Sequence, residues 1–283
     1  RPRMGSDPPR LVLAPIDVAA PVADTLLSGT AAVLTSATLA LGGSFDPMAR
    51  TLGLTLSEDP WEGLDVGTPF DYSRQGILYT PTHLPRPAAG ISEAALDEIL
   101  ALTEASGGGV LGLFSSRRAA QEAAEVLRGA TDLTVYAQGE DQLPTLVEAF
   151  TREEDSCLVG SLSLWQGVDV PGHTCRLVII DRIPFPRPDD PVAQARIEAV
   201  TAAGGNGFMS VAATHAALLL AQGAGRLVRR AGDRGVVAVL DPRLRTARYG
   251  AFLARSMPPL WPTRDRATVL GALERLAASR RNP

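Results

Sequence analysis

SEAALDEILALTEASGGGVLGLFSSRRAAQEAAEVL, residues 92–127, compresses a helix, a glycine break, a strand and a second helix into one run. Helical spacing of apolar residues extends from Ser92 to Ala105 and again from Arg117 to Leu127. Between them, Gly107, Gly108 and Gly109 lead into Val110 to Phe114, a short apolar run of strand length. The same alternation continues outward. Leu133 to Tyr136, Cys157 to Val159 and Val236 to Leu240 read as strands, and Gln142 to Phe150 and Val192 to Ala202 as helices. Leu177 to Ile180 is wholly aliphatic and mostly β-branched, as a strand covered on both faces should be. A long helix is expected from Ser210 to Arg230, ending at Gly232, and a last amphipathic one from Ala267 to Ala278. Ile77 to Thr80 opens this series. Upstream, Leu11 to Ala14 and Ala31 to Leu34 read as strands, with helices at Val22 to Leu27 and Phe45 to Leu52.

Strands alternating with helices predict an α/β fold, a doubly wound, mostly parallel sheet. The Gly-, Pro- and Asp-rich connection from Ser57 to Ser73 is the best candidate boundary. It divides the chain into 1–63, the end of one unit, and 64–283, a complete one. Residues 1–10 are polar and Pro-rich and run straight into a strand-like segment, the expected opening of a piece of a longer chain.

The chain has 283 residues, is 45% hydrophobic and 20% charged, and carries a formal net charge of −4. It can bury a sizeable core. An acidic whole argues against a surface coated with nucleic acid but leaves room for a local basic strip. All 27 basic residues are arginine; there is no lysine. Cys157 and Cys175 form no CxxC pair, so no zinc site or four-thiolate cluster is expected from this chain. No run of 18 apolar residues and no signal peptide is present, which predicts a soluble, cytoplasmic protein without a membrane partner; a monomer is expected.

In parallel sheets ligands sit beyond the carboxyl ends of the strands, and four polar segments qualify. Thr35-Ser36-Ala37-Thr38 places hydroxyls after a strand, suited to phosphate oxygens or simply to capping a turn. Ser115-Ser116-Arg117 opens a helix, where free N–H groups and a guanidinium favour phosphate; plain N-capping is the alternative. Gly160 to Gly172 combines close-approach glycines with Ser161, Ser163, Gln166, Gly167 and Asp169. Trp165 within it fits a core position better than a base platform. Gln222, Arg226 and Arg229 fall at i, i+4 and i+7, one helix face. Two guanidiniums on one stripe call for an anion between them, or for plain solvation.

In this order the segments resemble the later motifs of superfamily 2 helicases: TSATL (35–39) motif III, LFSSRR (113–118) motif IV, GSLSLWQGVDVPG (160–172) motif V and QGAGRLVR (222–229) motif VI. Ile183-Pro184-Phe185-Pro186 with Pro188-Asp189-Asp190-Pro191, Asp233 and Gly235, Asp241-Pro242-Arg243, and Thr68-Pro69-Phe70-Asp71 narrow the resemblance to the DinG/XPD-like type. It implies two RecA-like domains: 1–63 as the C-terminal remnant of the first motor domain, and 64–283 as the second. The activity it implies is ATP-dependent 5′-to-3′ DNA unwinding. Arg229 and Arg226 would be arginine fingers oriented by Gln222. Gly167, Asp169 and Gln166 would line the nucleotide. Ser36, Thr38, Ser115, Ser116, Arg117 and Ser163 would hold single-stranded DNA. Gln166 departs from the family pattern, which has an acidic residue there.

A chain without lysine cannot supply the phosphate-gripping loop of such motors. ATP and Mg²⁺ would be held mainly by an N-terminal helicase half, the partner implied, and an iron–sulfur cluster could belong only to that half. Alone, this chain is expected not to hydrolyse ATP. A non-catalytic RecA-like module binding single-stranded DNA or a protein partner is the rival reading. An unrelated metabolic enzyme would need a base, and His83, His173 and His215 are scattered.

Overall fold

A computed structural model describes residues 13–57, 60–161, 164 and 174–281. Among these, seven strands form one sheet, ordered β3-β4-β2-β5-β6-β1-β7, with every pairing parallel. The strands are β1 (Gly76–Tyr79), β2 (Val110–Leu113), β3 (Thr134–Ala137), β4 (Ser156–Gly160), β5 (Leu177–Ile180), β6 (Gly235–Val239) and β7 (Trp261–Thr263). The helices are α1 (Ala19–Val22), α2 (Asp46–Thr51), α3 (Tyr72–Gln75), α4 (Glu93–Ser106), α5 (Arg117–Ala130), α6 (Leu143–Arg152), α7 (Pro191–Ala202), α8 (Thr214–Ala224), α9 (Arg243–Thr246), α10 (Gly250–Ser256) and α11 (Arg266–Arg281). π-helical turns follow α1 and precede α8, at Ala23–Leu27 and Phe208–Ala213.

Side chains alternate across the pleat, and the core divides accordingly. Val110, Cys157, Leu177, Ile179, Val236 and Ala238 face α4, α5 and α11 through Ile99, Leu102, Ala123, Leu127, Val269 and Leu273. Leu111, Leu158, Val178, Ile180, Val237 and Val239 face α6, α8 and α10 through Phe150, Ala216, Leu220 and Leu253. Both faces are therefore dry, and each fully covered Val, Leu or Ile contributes roughly 2 kcal/mol. That explains the unbroken aliphatic run of β5.

Local signals set the helix ends. The Ser92 and Ser116 hydroxyls accept from Ala95 N (3.2 Å) and Ala119 N (3.1 Å) to start α4 and α5. Asp190 accepts from Val192 N and Ala193 N at the start of α7. Gly107, Gly108 and Gly109 are all left-handed, with φ of 61°, 100° and 62°. A Cβ on Gly108 would lie 2.5 Å from the Asp155 backbone, so these positions tolerate glycine alone.

Three expectations need correction. Ala31 to Leu34 forms no strand: Val33 is 94% exposed, and no strand of the sheet pairs with the segment. An apolar run becomes a strand only where a neighbour takes up its backbone hydrogen bonds. Leu13 and Ala14 are likewise irregular, while Leu11 and Val12 lie outside the described residues. The helix expected from Ser210 to Arg230 ends at Ala224, with Gly225 as its cap. Arg226 N and Leu227 N bond only three residues back, to Gly223 O and Ala224 O, before the chain turns away. The apolar period running on through Leu227 and Val228 concealed that stop. The short α3, α9 and α10 and the edge strand β7 carried no periodic signal. Pro262 is tolerated in β7 because the strand has a neighbour on one side only.

The N-terminal residues pack on the same body. Leu41 is buried in the α6–α8–α10 core, Gly42 N donates to Ser256 Oγ (2.7 Å), and Arg196 Nε donates to Ile16 O (2.8 Å).

Candidate functional site

At the carboxyl edge of the sheet, β5 delivers Asp181 beside the residues that follow β2. Its carboxylate accepts from Ser115 N (2.9 Å), Ser115 Oγ (2.8 Å) and Arg182 Nε (3.1 Å). Burial holds the Asp181 pKa above the ordinary carboxylate range, opposed by the Ser115 hydrogen bonds and Arg182. Arg182 also donates to Ala88 O (2.8 Å) and to Gly90 O, stitching the residues before α4 to this edge. Ser115 thus spends its hydroxyl proton on Asp181 and offers an outside ligand only lone pairs. The Ser116 hydroxyl is committed to capping α5. Arg117 is exposed at the first turn of that helix, free to meet an anion.

Further along the same edge, β6 is followed, two residues past its end, by a buried Asp241. It accepts from Ile183 N (3.0 Å), Arg243 N (3.0 Å) and the Arg243 guanidinium (2.7 Å at Nη2). The Arg243 guanidinium lies 5.7 Å from the Phe185 ring centroid, and Phe185, Phe208 and Tyr249 nest with centroids 5.2–5.4 Å apart. Asp181 and this ring cluster were not foreseen as a site. The only signal was a carboxylate directly after each of two buried strands.

Arg226 and Arg229 occupy the opposite, amino edge. Because α8 runs back antiparallel to the strands, its end lies where strands begin. Leu227 packs against Gly76 and Gly235, the first residues of β1 and β6. Both arginines are half-buried. Asp233 Oδ2 accepts from Arg229 N (2.8 Å) and Arg230 N (2.7 Å), which fixes the turn. Gln222 precedes them on the last turn of α8, with its buried Oε1 lacking a donor among the described residues. Close by, the buried Arg176 donates to Gly107 O (3.1 Å) and Asp155 Oδ1 (3.0 Å), locking the glycine run to the entry of β5.

The predicted residues therefore do not share one crevice. Ser115, Ser116 and Arg117 lie at one edge of the sheet and Arg226 and Arg229 at the other, separated by the four- and five-residue strands, roughly 13–17 Å. Of the polar segments expected beyond the carboxyl ends of strands, 115–117 lies there and Arg226 and Arg229 do not. Ser36 is exposed and Thr38 half-buried, and their hydroxyls hydrogen-bond to each other (3.2 Å). Ser163, Gln166, Gly167 and Asp169 lie outside the described residues, as do Trp165 and His173. β4 ends at the carboxyl edge at Gly160, and β5 enters from the amino edge at Leu177. Cys157 and Cys175 are buried free thiols, each pushed up to about 12 by burial. Among the described residues, no group of three His, Cys, Asp or Glu side chains could hold a metal ion. No described helix is long and apolar enough to cross a membrane.

An all-parallel sheet covered on both faces, with an arginine turn at one edge and a helix start at the other, defines a doubly wound α/β domain. The chain belongs to the helicase C-terminal domain family, whose model matches residues 99–260. It is 57% identical over 269 residues to the ATP-dependent helicase DinG of Mycobacterium tuberculosis, covering 94% of this chain and 40% of that protein. It is 38% identical over 239 residues to the ATP-dependent DNA helicase YoaA of Escherichia coli, covering 84% and 37%. The chain thus spans about two fifths of the length of the curated relatives it matches. A solved XPD helicase superposes with a TM-score of 0.49 at 18% identity, over 67% of this chain and 36% of its own, too distant a likeness to carry weight.

Proposed function

We propose that this chain is the C-terminal motor half of an ATP-dependent 5′-to-3′ DNA helicase, with 1–63 closing the first RecA-like domain and 64–283 forming the second. The observation that carries the reading is the arginine turn: two half-buried guanidinium side chains, on a backbone held by Asp233, at a sheet edge distinct from the start of α5. A triphosphate fits there chemically. Guanidiniums match phosphate oxygens, and the buried Gln222 Oε1 is an acceptor that a guanidinium or a ribose hydroxyl can satisfy. The β/γ-phosphate lysine must come from the other motor half, because this chain has none. Mg²⁺ would arrive with the nucleotide, and any iron–sulfur cluster belongs to that other half.

In the closed motor Arg229, with Arg226, meets charge developing on the γ-phosphate, and Gln222 orients them. Gly167, Asp169 and Gln166 line the nucleotide. At the carboxyl edge, Arg117 and the first N–H groups of α5 hold one strand of DNA beside Ser115 and Ser116, and Ser36, Thr38 and Ser163 are assigned contacts to the same strand. The working compartment is the cytoplasm.

In the enzyme that joins this chain to its phosphate-binding half, Arg229→Ala is expected to cut DNA-stimulated ATP hydrolysis by ~10³-fold or more. The KM for ATP should stay within about twofold, because the interaction is made in the transition state. Turnover at the parent's rate rejects the assignment.

A further inference from the structure

We propose that Gln75 is a positioning residue for Arg229, tying the arginine turn to the chain that enters β1; the inference rests on the role proposed above for Arg229. Gln75 is 5% exposed and ends α3, a single helical turn. Its one side-chain amide group faces three backbone carbonyls of the arginine turn: Nε2 lies 3.1 Å from Arg230 O, 3.2 Å from Ala231 O and 3.3 Å from Asp233 O. The turn has left α8 and not yet joined β6, so these carbonyls have no ladder or helix of their own. Asp233 takes up the turn's donors, through Arg229 N and Arg230 N. Gln75 takes up its acceptors together with Arg234, whose Nη1 donates to Ala231 O (2.9 Å) and Asp233 O (2.8 Å).

The two clamps differ in origin. Asp233 belongs to the turn itself, and a local clamp fixes its shape but not its place. Gln75 reaches it from 155 residues away in sequence, and so anchors the turn to the body of the domain. Leu227, between the two arginines, reinforces the anchor: the bare Gly76 backbone lets Leu227 and Leu260 close in where a Cβ would lie 3.1 and 2.5 Å from them. The chain leading from the N-terminal residues into the sheet therefore holds the turn by a side-chain amide and by a packed leucine. A guanidinium that must meet a transferring phosphate is sensitive to displacement; about 1 Å can cost ~100-fold.

The test compares Gln75→Met, which keeps length and loses both N–H donors, with Gln75→Lys, whose ammonium can donate to the same carbonyls. In the enzyme joining this chain to its phosphate-binding half, Gln75→Met is expected to lower the kcat of DNA-stimulated ATP hydrolysis by about 10- to 100-fold. The KM for ATP and the affinity for single-stranded DNA should move less than about twofold. Gln75→Lys should recover most of the lost kcat. Hydrogen exchange at the Arg229 and Arg230 amides of this chain should quicken in the Met variant and not in the Lys variant. A merely structural amide would lower the melting temperature and leave kcat per folded molecule unchanged. Parental kcat in Gln75→Met beside a depressed kcat in Arg229→Ala overturns the positioning role alone. Parental kcat in both overturns the reading it rests on, and this inference with it. Should the Met variant not fold, a Lys variant with depressed kcat overturns the proposal and a parental one supports it.

Discussion

Asp181 is a carboxylate that the fold has taken out of water and kept at work. It orders Ser115 through two hydrogen bonds and Arg182 through one, yet burial outweighs them and raises its pKa. A raised folded-state pKa contributes stability at acid pH, fully present below the unfolded value and lost as pH rises through the folded one. Asp181→Asn does not titrate. The parent's stability advantage over this variant should therefore be larger at about pH 4 than at about pH 7, measured by urea unfolding. An advantage that grows with pH would mean that Ser115 and Arg182 dominate instead. Arg229 teaches a related lesson at the same scale. Its side chain carries the finger role proposed from the motif, but Asp233 and Gln75, which hold the backbone of its turn, do so through N–H and C=O groups that any sequence contains.

Among the elements, the glycine run 107–109 is the joint on which the sheet's centre depends. It ends α4, passes between the entries of β4 and β5, and hands Gly107 O to Arg176. Gly108→Ala should cost about 3 kcal/mol, combining a left-handed backbone penalty with a forced shift of Asp155. Chemical denaturation measures it, and a cost below about 0.5 kcal/mol, the size of an ordinary surface change, would show that the joint yields freely. Elements with a strong period were readable: α4, α6, α7 and β1 to β6 fall within two residues of their expected bounds, and α5 runs three residues past its expected end. Those that depend on a partner were not. Ala31 to Leu34 has strand composition and no neighbour. The end of α8 is decided by Asp233 drawing away the Arg229 and Arg230 amides, against a local apolar pattern that says continue.

For the molecule as a whole, the consequence is a division between two edges of one sheet. Contacts to a single strand are assigned to the carboxyl edge and contacts to a nucleotide to the amino edge, with the rigid sheet between them. The two should separate in a salt titration. Arg117→Ala is expected to weaken single-stranded DNA binding and to lower the slope of log affinity against log salt by about 0.7, the release of one counterion. Arg226→Ala should leave that slope as it is. Equal slope losses in both would place the arginine turn on the DNA and refute the division.

The amino-acid sequence by itself determined the α/β class, the parallel sheet, the succession of motifs and the chemistry they can offer, guanidinium without ammonium. These properties follow from periods of two and 3.6 residues and from side-chain identity, both written locally along the chain. Tertiary structure alone decided which sheet edge residues 115–117 and the arginine turn occupy, that Ser115 answers to Asp181, and that Gln75 anchors a turn 155 residues away. Such contacts join distant residues through buried polar atoms, and a single buried hydrogen bond leaves no repeating trace in the chain that makes it.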